Sequence, residues 1–171
     1  MANTAANVRV GATGKIYGGG TTLPTNATTA PTGFSDYGYV SDAGVTLSVG
    51  RTTTDIKAWG GDVVRTVTSE HKVTFNLEFL ETSALTLKAW TGDASATATA
   101  AVLKNVAGLR QKWIIDVIDA DDTYRLVIPD GQITETGDLP FATEEAIKYP
   151  VTVTCYPDVT DVKAYIYVDA D

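Results

Sequence analysis

Reactive side chains are scarce in this chain of 171 residues, which holds one cysteine, one histidine and one methionine. With Cys155 alone, neither an internal disulfide nor a cysteine zinc cluster can form. Cys155 shares a side with Val151 and Val153 in an alternating run, and it reads as a small buried hydrophobe. His71 is the lone candidate base and would need a nucleophile and an orienting acid beside it. It sits between Glu70 and Lys72 in a strand-like segment and reads as a half-exposed strand residue. Basic charge is also short: 13 Lys and Arg stand against 21 Asp and Glu, a net charge of -8. That argues against DNA binding by phosphate neutralisation, but not against a surface that nucleic acid passes without sticking. No apolar run approaches the ~20 residues that span a bilayer, so no membrane partner is expected. The opening MANTAANVRV lacks the basic-then-apolar layout of a secretion signal.

The partial motifs fail on spacing. Ser69 and Lys72 stand three apart on a strand and face opposite ways. Gly14-Lys15 would need a Gly where Arg9 stands, and Ser or Thr where Ile16 stands, to form a phosphate loop. Asp119, Asp121 and Asp122 cluster at a hairpin turn without calcium-loop spacing and read as a solvated turn. Asn26-Ala27-Thr28 is a formal glycosylation sequon that carries no meaning without a secretion signal. The expectations are therefore no catalytic residues, no metal, no cofactor and no enzymatic activity.

What the chain does have is alternation. From Val63 to Phe79 the odd positions include Val63, Val67, Val73, Phe75, Leu77 and Phe79. The even positions include Thr66, Thr68, Glu70, Thr74, Asn76 and Glu78. A period of two means one apolar and one polar face. Seventeen residues reach roughly 56 Å at ~3.3 Å each, far beyond an ordinary strand. Unless a bulge breaks it, such a strand must leave its own domain and pair elsewhere, most simply with another copy. The preceding segment joins it through Gly60-Gly61, so 51–80 reads as a long projecting hairpin. Ile56, Trp59, Gly60, Gly61 and Val63 are its candidate contacts, with Trp59 an interface anchor. Trp90 and Trp113 read as core.

Other alternating runs start at Val45, Trp113, Tyr124, Ile147 and Val162. Tyr124, Leu126 and Ile128 lead into a Pro-Asp-Gly turn at 129–131. Val162, Ala164, Ile166 and Val168 form one apolar side. Together they predict a single, mainly β domain over 1–171: an antiparallel β-sandwich or barrel. One flanking helix is predicted over 82–91, stopped by Gly92. Residues 18–42, rich in Gly, Thr and Pro, read as a loop or extended arm, with Leu23, Pro24, Phe34 and Tyr37 its candidate contacts. Residues 93–101 read as an exposed strand or a mobile loop.

Four segments, in this order and spacing, resemble one family: Tyr37-Gly38-Tyr39-Val40-Ser41-Asp42-Ala43-Gly44-Val45; Asp55-Ile56-Lys57-Ala58-Trp59-Gly60-Gly61-Asp62-Val63-Val64-Arg65; Val127-Ile128-Pro129-Asp130-Gly131-Gln132; and Tyr149-Pro150-Val151-Thr152-Val153-Thr154-Cys155-Tyr156-Pro157. The chain is similar to major tail tube proteins of long-tailed, non-contractile bacteriophages, as found in phages of actinobacteria. The resemblance implies a β-sandwich with a flanking helix, six copies per ring, and rings stacked into a tube. Four strands per subunit would join around the ring into a barrel lining a DNA channel. Its other implied partners are the tape measure, terminator and distal tail proteins, with DNA in transient, non-specific passage. The implied location is the virion, after synthesis in the host bacterial cytoplasm. Thr66, Thr68, Glu70, Thr74, Asn76 and Glu78 are the candidate lumen surface. Two other readings compete: a β-sandwich binding module (virion decoration or carbohydrate-binding), and a single-ring terminator or distal tail protein.

Overall fold

The computed structural model describes residues 8–169. Its elements are β1 (Thr13–Gly18), β2 (Ser35–Asp36), β3 (Val40–Lys57), β4 (Val63–Phe79), α1 (Ala84–Thr91), β5 (Arg110–Asp119), β6 (Asp122–Thr136), β7 (Tyr149–Cys155) and β8 (Tyr165–Val168). All strand pairs are antiparallel. They form one sheet in the order β2-β1-β5-β6-β7-β4-β3, with β8 on β6. The mainly β class and the single helix are as expected, and the sheet is not closed into a barrel.

Alternation builds the core. Val73, Phe75, Leu77 and Phe79 of β4, Val151 and Val153 of β7, Trp113 and Ile115 of β5, and Leu126 and Ile128 of β6 point into one buried cluster. Tyr37 stacks there between Phe79 and Trp113, each ring centroid 5.1 Å away. Cys155 is buried in the same cluster, as expected. Helix α1 covers one side. Its cap forms as its residues dictate: the Ser83 hydroxyl accepts from the Thr86 N–H, and Gly92 takes the left-handed φ of 73° that closes the last turn. Thr82 and Ser83 thus precede the helix. Trp113 is fully buried, and half-buried Trp90 meets Tyr149 edge-on at 6.2 Å.

Three expectations need correction. Pro129-Asp130-Gly131 is not a turn. β6 runs straight through it, with two residues of β6 against one of β5 between the pairs Trp113↔Ile128 and Gln111↔Gly131. A bulge is where a strand tolerates proline's missing N–H. Past it, β6 changes its second partner from β8 to β7.

The arm is docked on its own domain. Ile114 and Val127, on the far face of β5 and β6, are fully buried. On that face Arg125 forms a buried fork with Asp116 at 2.6 and 2.7 Å and donates to the carbonyls of Asn26 and Thr29. The guanidinium thus straps the 19–34 loop across β5 and β6. Tyr37 belongs to the core and cannot serve as an arm contact.

In β8 the tyrosines are half-buried, while Ile166 and Val168 are exposed. The register sets Tyr165 beside Val127 and Tyr167 beside Arg125, so the tyrosines extend cover over that second face. Residues 93–101 form a loop organised by Asp93, which accepts from the Ser95 hydroxyl and N–H and the Val102 N–H.

Candidate functional site

Opposite the core, β3, β4, β7 and β6 present one continuous polar surface. Register aligns Thr46, Asn76, Thr152 and Glu135 in a row across the four strands. A second row sets Ser48 beside Thr74 and Thr154, and the Thr154 hydroxyl pairs with that of Thr134 at 2.8 Å. Glu78 lies on the same face, 3.8 Å from Lys148 Nζ. Hydroxyls, an amide and carboxylates dominate this surface, and Lys72 stands opposite Gly50. Thr46, Ser48, Thr134, Glu135, Thr152 and Thr154 were not among the sequence candidates. Their signal was present in the hydroxyl residues at every second position of Thr46-Ser48 and Thr152-Thr154.

The six residues expected on that face do not all share it. Thr52 pairs with Glu70, but the next residue, Thr53, pairs with Thr68. Ser69 is therefore an extra residue in β4, a bulge that exchanges the two faces. Glu70, Thr74, Asn76 and Glu78 stay on the polar surface. Thr66 and Thr68 turn to the side that faces the core lower down. There Thr66 donates to Asp55 at 2.7 Å. Val67 and Ile56 move to the opposite side, so the ribbon reverses its amphipathic sense beyond Ser69.

The hairpin is longer than 51–80, because β3 already starts at Val40. Every residue from Val49 to Lys72 is exposed. At the tip, the Ala58 carbonyl accepts from the N–H groups of Gly60 and Gly61, and Ala58 N–H donates to Asp62. Gly61 takes a φ of 95°, which favours glycine. Trp59 is fully exposed there, and Ile56, Val63 and Val64 are each more than half exposed. β7 pairs with β4 only from Val73 to Phe79, and β3 pairs only with β4. The outer half of the ribbon thus has two open edges. Lys163 donates to the His71 carbonyl at the point where β7 ends, a charged guard on an open edge. It projects from a loop ordered by Asp158, whose carboxyl sits well below the usual range because Thr160, Val162 and Tyr165 donate to it.

A cleft of about 400 Å³ lies at the opposite end of β3, where β1 and β3 lie side by side without pairing. Between Val40↔Phe79 and Val45↔Leu77, β3 loops out at 41–44. Ile16, Val45, Ile115 and Val117 form an apolar floor, and Lys15, Tyr39 and Asp42 stand among the other lining residues. Ser41 lines it too; it is 5% exposed and its Oγ has no partner. Of the arm candidates, Leu23, Pro24 and Phe34 are half-buried in the strapped loop, with Phe34 over Gly20.

Cys155 is not poised as a nucleophile. Burial pushes the Cys155 thiol up to about 12, so it carries no thiolate near neutral pH. His71 is exposed on the hairpin. Asp119 accepts from Val10 N–H at 2.8 Å and Asp122 pairs with Arg9. Among the described residues no group of His, Cys, Asp and Glu is placed to hold a metal ion, and no helix is long and apolar enough to cross a membrane.

Against this geometry, a family model described as phage tail tube protein matches residues 1–171. No curated protein matches the sequence. Among solved structures, one similar chain comes from the cryo-EM structure of the anti-feeding prophage (AFP) baseplate, 6-fold symmetrised. The likeness has a TM-score of 0.42 at 12% identity and covers 97% of each chain.

Proposed function

The chain belongs to the phage tail tube protein family, a structural component of the virion, and on that premise we propose that it is the repeating subunit of a long, non-contractile tail. In this reading six copies close into a ring, rings stack head to tail, and the polar surface of β3, β4, β7 and β6 lines a channel for DNA. The tube ends on a terminator and a distal tail protein and encloses a tape measure protein.

The observation that carries the reading is the outer half of the β3–β4 hairpin. It has no core beneath either face and open edges on both sides. A two-stranded ribbon alone is marginal in water, and long open edges with exposed Val and Ile invite pairing. A neighbouring copy supplies both missing partners. A head-to-tail contact never closes, so it grows a filament.

The test is negative-stain electron microscopy of the purified protein over a concentration series, with deletion of Thr53–Val63 alongside. Hollow, striated tubes from the intact chain and none from the deletion support the reading. Isolated rings at every concentration would favour a terminator or distal tail role. A deletion that still forms tubes would remove the hairpin from the stacking contact.

A further inference from the structure

Two features at opposite ends of β3 are complementary. Beyond its last residue stands Trp59, fully exposed on a tight turn. At its first residues lies the cleft between β1 and β3. From Val45, past the loop at 41–44, to Lys57 the strand spans roughly 43 Å at ~3.3 Å per residue. A copy placed end on end with another would bring the tip of one towards the cleft of the next.

The chemistry matches as well. The floor of Ile16, Val45, Ile115 and Val117 suits an aromatic body. Ser41 Oγ is buried with no partner, a state that costs free energy until a donor arrives. An indole has one such donor, its N–H, and Trp is an amphipathic anchor for such a site. The charges correspond too. Lys57 and Asp62 flank the turn, and Lys15 and Asp42 line the cleft. None of these four forms an ion pair among the described residues.

Resting on the stacked-tube reading, we infer that Trp59 of one copy inserts into the β1–β3 cleft of a copy in the next ring, its indole N–H donating to Ser41 Oγ. Lys57 then meets Asp42, and Asp62 meets Lys15. The loop at 41–44 and the open seam of the sheet become a receptor, and each added ring presents a fresh tip and a fresh cleft.

The test mixes two full-length variants, Ala58→Cys at the tip and Ala43→Cys at the cleft, which both leave Trp59 and Ser41 in place. Cys155 is buried, so the unsubstituted chain is the control. A short bis-maleimide should join the two variants within assembled tubes and not in dispersed monomer. Trp59→Ala should raise the concentration needed for tubes roughly thirty-fold or more, the loss expected for a central aromatic anchor. Trp emission should move to shorter wavelength on assembly of the unsubstituted chain, because Trp59 is its one fully exposed tryptophan. Tubes without the cross-link, or Trp59→Ala tubes at the ordinary concentration, would overturn this contact and leave the tube standing. Failure of the unsubstituted chain to form tubes at all would overturn the tube reading and this contact with it.

Discussion

Tyr37 and Cys155 bring two titratable protons into the core, and both are held more tightly than in an unfolded chain. Burial pushes the Tyr37 hydroxyl from an ordinary 10.0 up to about 12, against the opposing hydrogen bond from Gln111. Burial likewise pushes the Cys155 thiol from 9.0 up to about 12, opposed by the charge of Lys163. The sign follows from linkage: where the unfolded chain binds fewer protons than the folded one, stability falls as pH rises. Well below pH 9 both states keep both protons, and the contribution is complete. Between 9 and 12 the unfolded chain releases them first, and the fold loses stability across that window. The urea midpoint should therefore fall between pH 8.5 and 11, and fall less steeply in a Tyr37→Phe, Cys155→Ala double variant. Equal slopes for the two proteins would show that other groups govern the alkaline limb. Residue-level readings of this kind were accessible from sequence where neighbours alone decide them. Cys155 shares its side with Val151 and Val153, and that parity placed it inside. Arg125 carried no such signal, because its partners Asp116, Asn26 and Thr29 come from two distant segments.

Ser69 decides how the hairpin presents itself, since one extra residue in β4 exchanges the faces of everything beyond it. Inserting one residue between Thr52 and Thr53 would give Ser69 a partner, restore unbroken pairing and turn Val67 and Arg65 to the side now held by Thr66 and Thr68. The site is exposed and outside the core, so monomer stability should change by no more than about 0.5 kcal/mol, the ordinary scale for surface changes. Assembly should fail, because the wrong face would meet the neighbour. Urea unfolding and electron microscopy of the same preparation separate the two effects; normal tubes would show that stacking does not depend on the face exchange. The bulge was illegible in the sequence for a physical reason. Its evidence is a register against Thr52 and Thr53, and alternation within β4 looks uninterrupted. Pro129-Asp130-Gly131 failed in the opposite direction: its local chemistry signals a turn, but pairing with β5 and then β7 holds it extended. Helix α1 and the bounds of β4 were legible because Ser83, Gly92 and the run from Val63 to Phe79 are local signals.

At the scale of the whole molecule, a net charge of -8 must serve a surface that DNA crosses, in the reading proposed above. Polyphosphate binds wherever cations replace its counterions, and each neutralised phosphate deepens the salt dependence. A channel wall dominated by hydroxyls with Glu70, Glu78 and Glu135 offers few such replacements: Lys72 stands among them, and Glu78 partly offsets Lys148. A ring multiplies any reversal of sign by the number of its copies. The variant carrying Glu70→Lys, Glu78→Lys and Glu135→Lys should still assemble, since all three residues lie away from the core and from the hairpin tip. Its tubes should retain double-stranded DNA at low salt and release it steeply as salt rises, with a logarithmic slope of about -0.9 per phosphate contacted, whereas unsubstituted tubes retain none. In a virion the same change should slow DNA release. Filter binding across a salt series checks the first outcome. Retention no greater than that of the unsubstituted tube would place these three carboxylates outside the channel and assign the wall to a different face of the sheet.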